Sequence, residues 1–456
     1  MNNTAKNIHF IAIGGSIMHN LAIALHKKGY NISGSDDEIF EPSLSKLSKY
    51  GLLPQKEGWE PDKIHQGLDA VILGMHARKD NPELLRAREM GIKIYSFPDY
   101  LYEQSLDKQR IVIAGSHGKT TITSIIIHVL KFFNRKFDFA VGAQLEGFET
   151  MVELSDDAPV IIIEGDEYLS SPIDDSPKFL KYHHHIGLIS GVAWDHINVF
   201  PSEEKYVRQF DKFADATPKG GTLVYCEEDP LATVIGSKER PDVLNVTYKT
   251  HPFTIENGTT FLTNGNDSIP IRLFGKHNLQ NINGAREVLK KIGISDDQFY
   301  EAIQNFEGAS KRLEYVYENE STAIIKDYAH APSKVRATTL AVKEQYPERD
   351  LVACLELHTF SSLNKDFLKQ YNGTMKYANV GVIYYNPQTL EHKRLEPITP
   401  NDIKKGFGDE HLNVFDDASE MVAFLKKQEW DEKNLLLMSS GTFNNLDFEK
   451  LKDTLK

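Results

Sequence analysis

The residues best equipped for chemistry lie in Gly115-Ser116-His117-Gly118-Lys119-Thr120-Thr121. The run follows an apolar stretch, Arg110–Ala114, and leads into a segment with helical patterning. In that setting the backbone N–H groups of a glycine loop cradle phosphates. Lys119 would reach the β- and γ-phosphates, and the Thr120 hydroxyl would ligate Mg²⁺. Ile113 occupies the position where the longer phosphate-loop pattern has glycine, so this loop is a shortened variant. A second cluster, Glu164-Gly165-Asp166-Glu167, ends the apolar run Val160–Ile163. Alone it reads as a solvated loop. Beside a phosphate loop, a carboxylate at a strand end can hold Mg²⁺.

Four weaker signals follow. Trp194-Asp195-His196 offers an imidazole, a frequent metal ligand, although Mg²⁺ prefers oxygen. Asn278 and Asn281 stand one helical turn apart, where two amides either read a base edge or cap the helix. Arg312 could clamp a transferring phosphoryl group. Asp327, in Lys326-Asp327-Tyr328-Ala329-His330, could accept hydrogen bonds from a ribose.

These residues need elements to position them, and the pattern is α/β. Ile8–Ile13 reads as a buried strand ending in Gly14-Gly15, with an amphipathic helix to about Lys28. Further strands are expected at 31–36, 70–73 and 92–95, then at 110–114, 160–164, 186–190 and 222–225. The stretch Asn245–Leu273 alternates apolar residues with Thr, Asn and Gly, which suggests an antiparallel patch. A helix is expected over 275–291 and strands at 322–326, 351–355, 380–385 and 435–438. Strands alternating with helices imply parallel sheets. At roughly 150 residues per domain, 456 residues suggest about three. Their expected borders are 1–107, 108–309 and 310–456, with Glu103–Gln109 as a linker. His183-His184-His185 is expected to be a solvated lead-in to the strand at Ile186, because neighbours in an extended segment face opposite ways.

Composition narrows the function. The charge of −13 is a poor footing for a nucleic-acid binder. Two distant cysteines, Cys226 and Cys354, exclude a disulfide framework and suit a reducing cytoplasm. With no signal-peptide pattern and no apolar run of about 20 residues, neither export nor a membrane span is expected.

Taken in order and spacing, Lys119, Glu164, His196, Asn278, Asn281, Arg312 and Asp327 resemble the Mur ligase family of ATP-dependent amide-bond ligases. The resemblance covers essentially the whole chain. It implies three domains: a Rossmann-like UDP-sugar domain, a central phosphate-loop ATPase domain and a Rossmann-like C-terminal domain. It implies that Gly115–Thr121, Asn278, Asn281, Arg312 and Asp327 bind ATP. Thr120 and Glu164 would hold one Mg²⁺ and His196 a second. Lys119 and Arg312 would stabilise the γ-phosphate. Gly14, Gly15, Ser16, Ser35, Asp36 and His76 would hold the UDP-sugar, and Tyr328, His330 and His358 the amine substrate. The implied chemistry phosphorylates a muramate carboxylate to an acyl phosphate, which an amine then attacks. Domain closure would exclude water from that intermediate. A monomer or weak homodimer is expected.

Within the family, His9–Gly15 and Ser33–Asp36 are similar to the branch that takes UDP-N-acetylmuramate. Ile17, His19 and Asn20 replace the small residues usual in its first turn. Asp166-Glu167-Tyr168, Ser176–Tyr182 and Met438–Phe443 resemble members that join L-alanyl-γ-D-glutamyl-meso-diaminopimelate to the sugar in peptidoglycan recycling. Glu356–Ser362 lacks the arginines found there in the family, which argues against L-alanine as the amine. L-Alanine is nevertheless the alternative, in peptidoglycan biosynthesis. Asp211 stands where some members carry a carbamylated lysine, so none is expected. A folylpolyglutamate-type ligase is disfavoured by the N-terminal domain, and an NAD oxidoreductase by the lack of a full dinucleotide fingerprint. A non-catalytic UDP-sugar sensor is opposed by intact Lys119, Glu164 and Arg312.

Overall fold

A computed structural model describes residues 6–145, 147–194, 199–308 and 312–447. The chain forms two compact units. The first comprises 1–192, 204–248 and 284–295, and the second 193–203, 249–283 and 296–456.

In the first unit, β1 (Asn7–Ile11), β2 (Asn31–Ser35), β3 (Ala70–Leu73) and β4 (Ile94–Ser96) make a parallel sheet in the order β2-β1-β3-β4. The apolar side chains of β1 and β3 are almost fully buried, which explains their near-continuous hydrophobic runs. The helix Ser16–Lys27 starts directly after the Gly14-Gly15 turn.

A seven-stranded sheet follows in the same unit. Its strands are β5 (Gln109–Ala114), β6 (Asp138–Ala140), β7 (Val152–Glu153), β8 (Val160–Glu164), β11 (Ile186–Ile189), β12 (Thr222–Cys226) and β13 (Leu244–Tyr248). Between β8 and β11 lies the short hairpin β9 (Leu169–Ser171) and β10 (Asp174–Pro177). The order β13-β12-β11-β5-β8-β6-β7 places β5 centrally, with β8 on one side and β11 on the other. The C-terminal ends of these three strands therefore open side by side, where α/β sheets hold ligands.

In the second unit, β14 (Phe253–Glu256), β15 (Thr259–Asn264) and β16 (Asp267–Ile271) form an antiparallel sheet. A six-stranded sheet contains β17 (Glu314–Glu318), β18 (Ala323–Asp327), β19 (Asp350–Leu357), β20 (Val380–Tyr385), β21 (Asn413–Phe415) and β22 (Lys433–Met438), in the order β17-β18-β22-β19-β20-β21. Only β17 runs antiparallel to its neighbour.

Three expectations change. The antiparallel patch begins at Phe253. Residues 244–248 instead pair parallel with β12, as the edge of the large sheet. The stretch 103–109 is no loose linker: Ser105 and Lys108 are buried. The Lys108 ammonium donates to the carbonyls of Ser155 and Ala158, each at 2.9 Å, and sits 3.2 Å from the buried Asp138 carboxylate. The histidine run is not solvated throughout. His184 is buried, bonds Thr217 at 2.9 Å and stacks on Phe213. Burial pushes its pKa down to about 3.

The Lys108 arrangement yields a stability prediction. Lys108→Ala strands Asp138 in the interior without its cation, a lesion of about 3–5 kcal/mol. Urea unfolding should show that loss, and a change under about 1 kcal/mol would refute it.

Candidate active site

The phosphate loop is built from β5 and the helix Lys119–Phe132. Gly115 has φ +137°, and a Cβ on it would lie 2.0 Å from the Ser190 hydroxyl, so only glycine fits. Gly118 takes the left-handed conformation at the helix start, where no side chain caps the helix. The first helical N–H groups thus lack side-chain acceptors, as anion binding requires. Thr120 and Thr121 are buried at that start. Ser116 bonds the Tyr206 hydroxyl, and the Ser190 hydroxyl donates to the His117 carbonyl.

Lys119 leans back across the loop. Its ammonium donates to the Gly115 carbonyl and to Glu167, both at 2.7 Å. Burial works against its charge, but Glu167, Asp166 and Glu164 outweigh it and hold the pKa above the ordinary lysine value. Tyr206 donates to the other oxygen of Glu167 at 3.1 Å, and so ties the lysine's partner to Ser116. At the end of β8, Glu164 accepts from the Thr120 hydroxyl and the Gly142 N–H, both at 2.8 Å. Burial, then repulsion from Asp166, raises its pKa.

Thr120 and Glu164 thus place two oxygens at one point beside the loop, a donor set that fits Mg²⁺. Among the described residues no group of three or more His, Cys, Asp and Glu could hold a metal. A Mg²⁺ here would complete its shell with phosphate and water, as this ion commonly does. His196, the expected ligand of a second ion, lies outside the described residues.

A cavity of about 290 Å³ joins this region to the first glycine turn. Its walls include Gly15, Ser16 and His76 from the N-terminal segment, and Glu164, Asp166, Tyr168 and Lys178 from the central one. Gly14, Ser35 and Asp36 do not line it. Asp36 instead accepts the Gly14 N–H at 2.7 Å and so sets the turn. Burial pushes its carboxyl up to about 6. Ser35 is buried, 3.4 Å from the Lys63 ammonium. The residues that depart from the small-residue pattern have structural work. His19 bonds Gly15 and Ser43, and Asn20 accepts the Met151 N–H at 2.9 Å.

The second unit gathers the other candidates. Asn278 donates to the Phe274 carbonyl at 3.0 Å, and Asn281 donates to Asn278 at 3.4 Å, so the two amides share a face. His277, next to Asn278 in the chain, feels the charges of Asp327 and Arg312. Burial depresses its pKa, Asp327 opposes that, and Arg312 adds to it. The Arg312 guanidinium lies 4.7 Å from the centre of the Tyr328 ring. Asp327 accepts from the Leu313 N–H at 3.1 Å and the Thr338 hydroxyl at 2.7 Å, which leaves lone pairs for a further donor. His330 packs edge-on against Tyr328 and bonds its carbonyl. His358 lies beyond β19, 3.8 Å from the buried Glu356 carboxylate, which also accepts from Ser439 and Phe443.

No pattern in the sequence assigns a role to Glu167, Tyr206 or Lys178. Tyr206 is 90 positions from Ser116, so no local pattern signals their contact.

The phosphate loop, the strand-end carboxylate and the parallel sheets define a nucleotide-dependent α/β enzyme. The Mur ligase family catalytic domain matches residues 7–109 and the Mur ligase middle domain residues 113–289. The UDP-N-acetylmuramate–L-alanine ligase of Carboxydothermus hydrogenoformans is 28% identical, over 97% of this chain and 96% of its own. That of Caldicellulosiruptor bescii is 30% identical, covering 90% and 91%. The chain belongs to the Mur ligase family of ATP-dependent amide ligases, which form ADP and phosphate and use Mg²⁺. Its fold is the three-domain α/β fold of that family. By structure it is similar to UDP-N-acetylmuramate–alanine ligase from Thermotoga maritima, with TM-score 0.68, 21% identity and 98% of both chains covered. It is also similar to a murein peptide ligase from Psychrobacter arcticus, with TM-score 0.65, 19% identity and 99% of both covered. Both sequence relatives just described carry names for L-alanine as the amine. No described helix is long and apolar enough to cross a membrane.

Proposed function

We propose that this chain phosphorylates the carboxylate of UDP-N-acetylmuramate with ATP and transfers the acyl group to L-alanine, in cell-wall biosynthesis in the cytoplasm. The observation that carries the reading is Glu164. It bonds the phosphate-loop Thr120 and also lines the cavity that begins at the Gly15-Ser16 turn. A carboxylate seated in that cavity reaches the place where a γ-phosphate would be held. The full-length relatives named for L-alanine support the choice of amine.

Lys119 and Arg312 stabilise charge on the transferring phosphoryl group. Asn278 and Asn281 serve the adenine, and Asp327 the ribose. Thr120 and Glu164 would hold one Mg²⁺ and His196 a second, and these ions would supply charge neutralisation on the phosphates. Tyr328, His330 and His358 receive the amine, and Gly14, Gly15, Ser16, Ser35, Asp36 and His76 shape the UDP-sugar site. We place the domain borders near residues 107 and 309.

One observation favours the peptide as the amine instead. Beyond β19, Glu356 to Ser362 presents a carboxylate, an imidazole and hydroxyls, and no arginine for an amino-acid carboxylate. Phosphate release from ATP with UDP-N-acetylmuramate decides the matter. Release with L-alanine alone is expected. Release only with L-alanyl-γ-D-glutamyl-meso-diaminopimelate would make this a peptide-joining enzyme. No release with either amine would overturn the ligase reading.

A further inference from the structure

The cavity poses an electrostatic problem. Its floor carries the carboxylates of Glu164 and Asp166, yet its proposed occupant presents another carboxylate. Before Mg²⁺ occupies Glu164, an anion entering this site of like charge needs another fixed cation. Among the residues lining the cavity, Lys178 is the one lysine, and none is an arginine.

Its surroundings hold it in place. Lys178 is the first residue of a single helical turn after β10. Its N–H donates to the Tyr168 carbonyl at 3.0 Å, and the next N–H, of Phe179, donates to the Asp166 carbonyl at 3.1 Å. The side chain is 11% exposed. Its ammonium is 3.3 Å from the Asp166 carboxylate and 4.4 Å from the centre of the Tyr168 ring. A long ion pair and a ring face restrain the ammonium without saturating three N–H donors. Asp166 gains from the pairing: burial alone would raise its pKa, but Lys178 and then Lys119 bring it below the ordinary value.

We propose that Lys178 is the residue that recognises the substrate carboxylate. It would hold that group in the cavity against the repulsion of Glu164 and Asp166, with Asp166 and Tyr168 positioning the ammonium. The assignment rests on the muramate reading and names the contact that selects an acid-bearing sugar over a neutral one.

The test is calorimetric binding, without Mg²⁺, of UDP-N-acetylmuramate and of its lactyl methyl ester, which lacks the charge and adds one methyl group. Wild type, Lys178→Met and Lys178→Arg are compared. Wild type should prefer the acid by at least about tenfold, the scale of one charge-assisted hydrogen bond. Lys178→Met should lose that preference while binding the ester within about twofold of wild type, which also shows that the variant folds. Lys178→Arg should recover part of the preference. Equal losses for acid and ester in Lys178→Met would make the lysine structural or a diphosphate contact, and overturn the assignment. So would a wild type that binds both ligands alike. A wild type that binds neither refutes the muramate reading itself, and the assignment with it.

Discussion

Replacing Lys119 with alanine lowers turnover by at least about a thousandfold and leaves UDP-N-acetylmuramate affinity within about twofold. The ammonium is held at 2.7 Å by both the Gly115 carbonyl and Glu167, so its charge is positioned before any nucleotide arrives. A charge fixed in advance at the point where negative charge develops stabilises a transition state without reorganisation. Phosphoryl transfer relies on such positioning almost entirely, which sets the expected size of the loss. The lysine is not among the residues lining the cavity, so the muramate should bind as before. The substitution does leave Glu167, almost fully buried, without its cation, although Tyr206 still donates to it. Preserved muramate binding therefore also reports an intact fold. Phosphate-release kinetics and calorimetry on one preparation check both halves. A variant that turns over within tenfold of wild type, or that loses muramate binding, refutes the arrangement.

The legible parts of this protein are those that a local pattern determines. Ala70–Leu73, Val160–Glu164 and Val380–Tyr385 are strands to the residue, because each is a short apolar run between polar turns. The phosphate loop was equally plain, since strand, glycines, Lys and Thr coincide within a dozen residues. What escaped depended on partners. Glu314–Glu318 is an edge strand with charged ends and half-buried middle residues, so its sequence carries no core signal. Asn245–Tyr248 alternates as an antiparallel strand would, but such alternation marks one covered face and not the direction of a neighbour. His184 is buried because Thr217 and Phe213 enclose it, which nothing in a three-histidine run foretells. Lys178 resembles any surface lysine until the fold sets it against Asp166 and Tyr168.

Glu164→Gln should separate metal binding from substrate binding, with effects of opposite sign. The carboxylate accepts the Thr120 hydroxyl on one oxygen and the Gly142 N–H on the other. An amide can satisfy one of these and turns an NH₂ toward the other, and it offers Mg²⁺ no charge. Turnover at fixed Mg²⁺ should fall by at least about a hundredfold, the scale of losing one electrostatic contact in a reacting site. The Mg²⁺ concentration for half-maximal rate should rise by at least about tenfold, or about 1.4 kcal/mol. Metal-free binding of UDP-N-acetylmuramate should not weaken and should tighten, because one of the negative charges in the cavity is gone. Stability has the same sign. Burial and Asp166 raise the pKa of Glu164, so its ionised form destabilises the metal-free protein at pH 7 and that cost fades as the pH falls. The glutamine variant should therefore keep or raise the metal-free Tm at pH 7. A mere packing defect would lower Tm and weaken muramate binding together. A variant with wild-type Mg²⁺ dependence would remove Glu164 from the metal site.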